Sequence, residues 1–115
     1  MDITALQKRL AAFAAERDWQ PYHSPKNLAM ALAAESGELL ELFQWLTEQQ
    51  SRQLTDDQRV AVEQELADIL LYLVRLADEL RIELDVAVER KLRLNAQKYP
   101  VDLAKGNATK YSRRD

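Results

Sequence analysis

The chain has 115 residues, enough for one ordinary core; 47% are apolar and only 2 are Gly and 3 Pro, a balance that favours helices over a sandwich or barrel. A formal net charge of −3 gives no overall basic footprint for nucleic acid. The lack of cysteine excludes disulfides, thiolate metal sites and a cysteine nucleophile and fits a cytoplasmic setting, while no signal-peptide pattern and no apolar run near the roughly 20 residues that span a bilayer are expected to act here.

Residues 2–18 predict a first helix, with Ile3, Leu6, Leu10, Phe13 and Arg17 in steps of three and four. Asp18 to Pro25 breaks the pattern with two prolines and carries Trp19, Tyr22 and His23, the one histidine of the chain. Aromatics on such a loop either dock onto a core or wall a pocket for a flat ligand. Ser24 and Pro25 open a second helix as N-cap and first helical residue, running to about Glu48. Its stripe is Leu28, Leu32, Glu35, Leu39, Leu42 and Leu46, so an acid stands where an apolar residue is expected, and Glu38 shares its face. Glu41 lies further round the helix, toward solvent. Gly37 sits mid-helix, where a missing side chain can admit a close neighbour.

Gln49 to Leu54 reads as a turn, and the capping box Thr55-Asp-Asp-Gln58 starts a third helix that ends near Leu80. Val62, Leu66, Ile69, Leu73, Leu76 and Leu80 form one stripe, with Glu65, Asp68 and Tyr72 beside it. The six residues from Ile69 to Val74 are all apolar or aromatic, which predicts a helix buried on nearly every side. One chain of this size cannot surround such a helix, so an oligomer with this helix near the interface is expected. Asp85 is the expected cap of a fourth helix ending at Tyr99-Pro100. On it, Asn95 interrupts an apolar stripe between Lys91 and Lys98, a set that suits phosphate oxygens or, with equal weight, an ordinary surface helix. The domain is expected to span residues 1–100. The tail, 101–115, carries Lys105, Gly106, Lys110, Arg113 and Arg114, with packing on a neighbour, phosphate contact and disorder all open.

The acids carry the chemical argument. Glu35 and Glu38 lie about as far before the turn near residue 51 as Glu65 and Asp68 lie after it, and an antiparallel hairpin brings such positions to one height. Four carboxylates meeting in a partly buried place need a positive partner. Carboxylate oxygens select hard divalent ions, Mg²⁺, Mn²⁺ or Ca²⁺. The absence of His and Cys from the helices argues against a redox di-iron or a structural zinc site. Magnesium sites commonly combine a few carboxylates with substrate phosphates, which points to hydrolysis of a nucleoside triphosphate.

Together, Phe13 to Trp19, His23-Ser-Pro-Lys-Asn-Leu28, Glu35 to Trp45, Glu65 to Val74 and Lys91 through Asn95 to Lys98-Tyr-Pro100 resemble the MazG-like, all-α nucleoside triphosphate pyrophosphohydrolase family, and within it the dCTP pyrophosphatase branch. The resemblance covers nearly the whole chain, and the double acidic motif is its most specific part. It implies an all-α, four-helix bundle completed by oligomerisation, as a homotetramer built from a dimer of dimers. It implies that Glu35, Glu38, Glu65 and Asp68 are the catalytic acids and hold Mg²⁺, with Mn²⁺ as a substitute. Water would attack the α-phosphorus, releasing pyrophosphate and a nucleoside monophosphate. Asn95, Lys98, Tyr99 and Lys91 would meet the triphosphate, and Trp19, His23, Asn27, Trp45 and Tyr72 would border the nucleoside. The substrate would be dCTP or a modified cytosine form, cleared from the nucleotide pool in the cytoplasm, without stable nucleic-acid or membrane binding. Two alternatives stand beside it: the same chemistry on dUTP or a broad dNTP range, and a non-catalytic oligomeric helical module that binds nucleotide or a partner.

Overall fold

The structure, a computed structural model, describes residues 1–113; Arg114 and Asp115 of the tail lie outside the described residues. All regular elements among the described residues are helical. The chain divides into two compact units, Met1–Ile82 and residues from Glu83 onward.

In the first unit α1 spans Ile3–Glu16, α2 Pro25–Phe43, α3 Glu48–Arg52 and α4 Asp56–Glu79. Each start has a local cause. Asp2 caps α1 by accepting from the Ala5 amide, and Ser24 caps α2 from Asn27 with Pro25 as its first residue. Thr47 and Thr55 open α3 and α4 with complete capping boxes closed by Gln50 and Gln58. Two ends turn through the left-handed region without glycine. After α1, Asp18 has φ 52°, and after α4, Arg81 has φ 55°. The next amides, of Trp19 and Ile82, reach back to the carbonyls of Ala14 and Ala77 at 2.9 Å.

The second helix is shorter than its periodicity predicts. The apolar stripe continues to Leu46, but α2 stops at Phe43, and Thr47 starts a new helix inside the expected turn. The apolar repeat crosses a break that only the local cap reveals.

Helices α2 and α4 form the main packed pair, and α1 packs on α4. The pairing is antiparallel: mid-helix Glu35 meets Glu65, and His23, just before α2, meets Arg75 near the end of α4. Ala14, Leu28, Val74 and Ala77 are the buried apolar residues. The expectation of an α4 covered on nearly every side is not met within the chain. Val74 is fully buried, but Leu66, Leu73 and Leu80 are exposed at seven-residue spacing, which places them as one stripe. Nothing lies within 4 Å of a Cβ added at Gly37, so among the described residues no close neighbour explains that glycine.

In the second unit α5 runs Leu84–Lys98 and α6 Val101–Ala104, followed by a 3₁₀ turn at Tyr111–Arg113. The cap of α5 is Glu83 rather than Asp85, which falls in the first turn and still suits the positive helix end there.

Candidate active site

Three carboxylates from two helices converge in the first unit. One oxygen each from Glu35 and Glu38 of α2 and Glu65 of α4 all lie within 4.8 Å of one another. The antiparallel packing makes this possible, because i and i+3 on α2 share a face that looks across at α4. The Oε2 atoms of Glu35 and Glu65 are buried without a hydrogen-bond partner. Among the described residues none of the three acids is in an ion pair. Buried carboxylate oxygens with no donor are costly, and bound cations are a usual remedy.

The Glu35 carboxyl is pushed up to about 7, first because its protonated form can donate a hydrogen bond to the Glu65 carboxylate, then by burial, then by Glu38, with the charge of Asp68 adding to it. Asp68 is thus near enough to act on Glu35 through its charge, although its oxygens stand outside the close group of three. The donor set fits a hard divalent ion: carboxylates only, clustered, with two buried oxygens unmatched by the protein.

Two cavities share Trp19, His23 and Tyr72 as walls, and Asp68 lines the first of them. The first, of about 160 Å³, is completed by Leu10, Phe13, Asp68, Leu71 and Arg75. The other, of about 310 Å³, is completed by Tyr22, Asn27, Leu28 and Ala31. Asp68 therefore links the acidic cluster to an aromatic-walled space. The loop before α2 is held in place by several contacts. Trp19 meets the Phe13 ring edge-on, with centroids 5.6 Å apart, and the His23 ring at 6.0 Å. The Asn27 amide donates to the Tyr22 carbonyl at 3.3 Å, tying the 3₁₀ turn Gln20–Tyr22 to the first turn of α2.

His23 accepts at Nδ1 from Nε of Arg75 at 3.2 Å. Burial first, then the Arg75 charge, push its pKa below the ordinary value, with Glu79 opposing. Arg75 is a residue that sequence reasoning passed over. A cation inside the most apolar stretch of α4, with Asp78 and Glu79 three and four residues on, was the available signal.

Trp45 is placed differently from the other expected pocket residues. It follows α2, is 86% exposed and lines neither cavity. The expected phosphate group belongs to the second unit. There Lys91 is exposed and Asn95 half-buried. The Lys98 ammonium lies 4.7 Å from the centre of the Tyr111 ring, and the Tyr99 hydroxyl accepts from the Tyr111 amide at 3.4 Å.

The regular elements among the described residues are thus helices alone, with two central helices that pool carboxylates and an aromatic-walled cavity lined by Asp68. The profile of the MazG-like family matches residues 30–113, and the chain belongs to that family. It is 48% identical over 104 residues to dCTP pyrophosphatase 1 of Mus musculus and 45% identical over 104 residues to dCTP pyrophosphatase 1 of Homo sapiens, in each case over 89% of this chain. The chain spans 61% of the length of these two curated relatives. In structure it is similar to a pyrophosphatase from Archaeoglobus fulgidus, with a TM-score of 0.80 and 40% identity over 84% of this chain and 91% of that one.

Proposed function

We propose that this protein is a divalent-metal-dependent nucleoside triphosphate pyrophosphohydrolase that prefers dCTP or a modified cytosine dNTP and clears it from the cytoplasmic nucleotide pool. The observation that carries the reading is the trio Glu35, Glu38 and Glu65, with two buried oxygens that no protein group satisfies, together with an aromatic-walled cavity lined by Asp68. The similarity to dCTP pyrophosphatases supports the substrate class.

Glu35, Glu38 and Glu65, joined by Asp68, would hold Mg²⁺ or Mn²⁺. When bound, the ion lowers the pKa of water and offsets charge on the phosphates. The chain's own groups do the rest. Asp68 stands where the acidic cluster meets the cavity, so it sets the distance between the phosphate end and the base end of a ligand. Trp19 and Tyr72 offer faces on which a base can stack while water is excluded. Asn27, a wall of the second cavity, would border the nucleoside. On the resemblance alone, Lys91, Asn95, Lys98 and Tyr99 are assigned to the triphosphate, and residues 1–100 are read as one domain. Hydrolysis places the new oxygen on the α-phosphorus, and pyrophosphate leaves.

The exposed Leu66, Leu73 and Leu80 stripe supports assembly through α4, which we read as part of a homotetramer. In such an assembly an exposed Trp45 can serve a neighbour's pocket.

The test is product analysis on canonical and modified dNTPs and NTPs with Mg²⁺ and with chelator. Monophosphate and pyrophosphate, from cytosine substrates first and only with metal, is the expected outcome. Preference for another base overturns the specificity. No turnover by folded protein overturns the enzyme reading.

A further inference from the structure

Arg75 is the strongest polar feature outside the acidic cluster. It is 6% exposed and sits on α4 beside the fully buried Val74. Its guanidinium has three polar partners: Nη1 on Asp78 Oδ2 at 3.3 Å, Nη2 on Glu79 Oε1 at 2.5 Å and Nε on His23 Nδ1 at 3.2 Å. The two acids lie on the same helix at i+3 and i+4, so they offset the charge and fix the plane of the fork. A guanidinium only donates. Nδ1 of His23 therefore carries no proton, and the neutral ring keeps its proton on Nε2. Among the described residues no protein group accepts from that Nε2–H, and the ring lines both cavities.

We propose that Arg75 is a positioning residue: it fixes His23 as the neutral Nε2–H tautomer, so that the ring presents one hydrogen-bond donor to an acceptor oxygen of the nucleoside in the cavity. The tautomer half stands on the free protein, and the ligand half rests on the nucleotide reading above. The arrangement favours ligands that supply an acceptor there, because a ligand without one leaves a desolvated donor unpaired, and discrimination by such loss exceeds that by a methyl group.

His23 is the one histidine of the chain, so its ring nitrogens are assigned in a nitrogen-15 NMR spectrum without ambiguity. At a pH where the ring is neutral, the folded protein should show an unprotonated Nδ1, a protonated Nε2, and a scalar coupling across the hydrogen bond from Arg75 Nε–H to Nδ1. A protonated Nδ1, or no coupling, overturns the proposal. In turnover, Arg75→Leu should raise KM about tenfold and change kcat less than about twofold. In a His23→Ala background the same substitution should raise KM no further, since Arg75 acts through the ring. Additive losses, or a fall in kcat in both backgrounds, indicate a merely structural role and overturn it. Should Arg75→Leu fail to fold because Glu79 is left unpaired, the Arg75→Leu/Glu79→Gln variant carries the same comparison. Absence of all nucleotide turnover in the wild type sinks the nucleotide reading and the ligand half with it, and the NMR result then decides the Arg75–His23 lock alone.

Discussion

Binding of a divalent ion to this protein should expel a proton below neutral pH. The cause is the Glu35 carboxyl, held up at about 7 by the hydrogen bond its protonated form can donate to Glu65, by burial and by Glu38. With that value, about 0.9 of the sites carry the proton at pH 6 and about 0.1 at pH 8. An ion that needs the carboxylate displaces it, so binding should release about 0.9 proton at pH 6 and about 0.1 at pH 8. Apparent affinity should be about tenfold weaker at pH 6 than at pH 8. Titration calorimetry with Mn²⁺ in two buffers of different ionisation enthalpy counts the protons directly. Equal counts at the two pH values, or undiminished release from a Glu35→Gln variant that still binds the ion, would refute the reasoning.

The other expectations are simpler. The metal-free fold carries Glu35 with a pKa raised from 4.5 to about 7, so the group's contribution is fully present below the unfolded pKa and is lost as pH rises through about 7. Thermal melting of the chelated protein should therefore show Glu35→Gln gaining over wild type at pH 8 and not at pH 4.5, and an equal effect at both would refute it. Glu38→Gln and Asp68→Asn should each lower turnover by at least about a hundredfold with the helical circular dichroism unchanged, since each removes a carboxylate from the acidic site; full metal-dependent activity in either removes the assignment. Trp45→Ala should raise KM for nucleotide and leave metal affinity as it was, and equal losses in both count against a pocket role. Arg81→Gly should stabilise the fold by about 0.5–1 kcal/mol in denaturant titration, because Arg81 occupies a left-handed conformation, φ 55°, that costs a side-chain-bearing residue but not glycine; a loss of stability would contradict it.

What the sequence disclosed follows from how local each signal is. The acids at 35, 38 and 65 were legible because Glu35 replaced an expected apolar residue, Glu38 shared its face, and the spacing of Glu65 about the turn was symmetric with them. The start of α4 was legible because a capping box is a pattern of four adjacent residues. The end of α2 was not, since Leu42 and Leu46 keep the helical period while the backbone leaves it at Phe43; the competing cap at Thr47 was the stronger signal. Arg75 stayed hidden for a different reason: its partner His23 is 52 residues away, and no local pattern announces a contact made only by packing. The exposure of Trp45 was equally out of reach, since its expected place beside the nucleoside came from the resemblance and no local pattern of the chain sets its burial.

The α2–α4 pair works as a ruler with two marks, the carboxylates at Glu35 and Glu65 and the contact between His23 and Arg75. Lengthening the segment between Phe43 and Asp56 moves neither mark, because helix packing sets the register. One residue inserted between Glu65 and Arg75 turns everything beyond it by about 100° around the helix and separates the two marks. Relatives can thus differ freely in the length of that connecting segment, whereas the ten-residue interval on α4 should keep its length wherever both marks are retained.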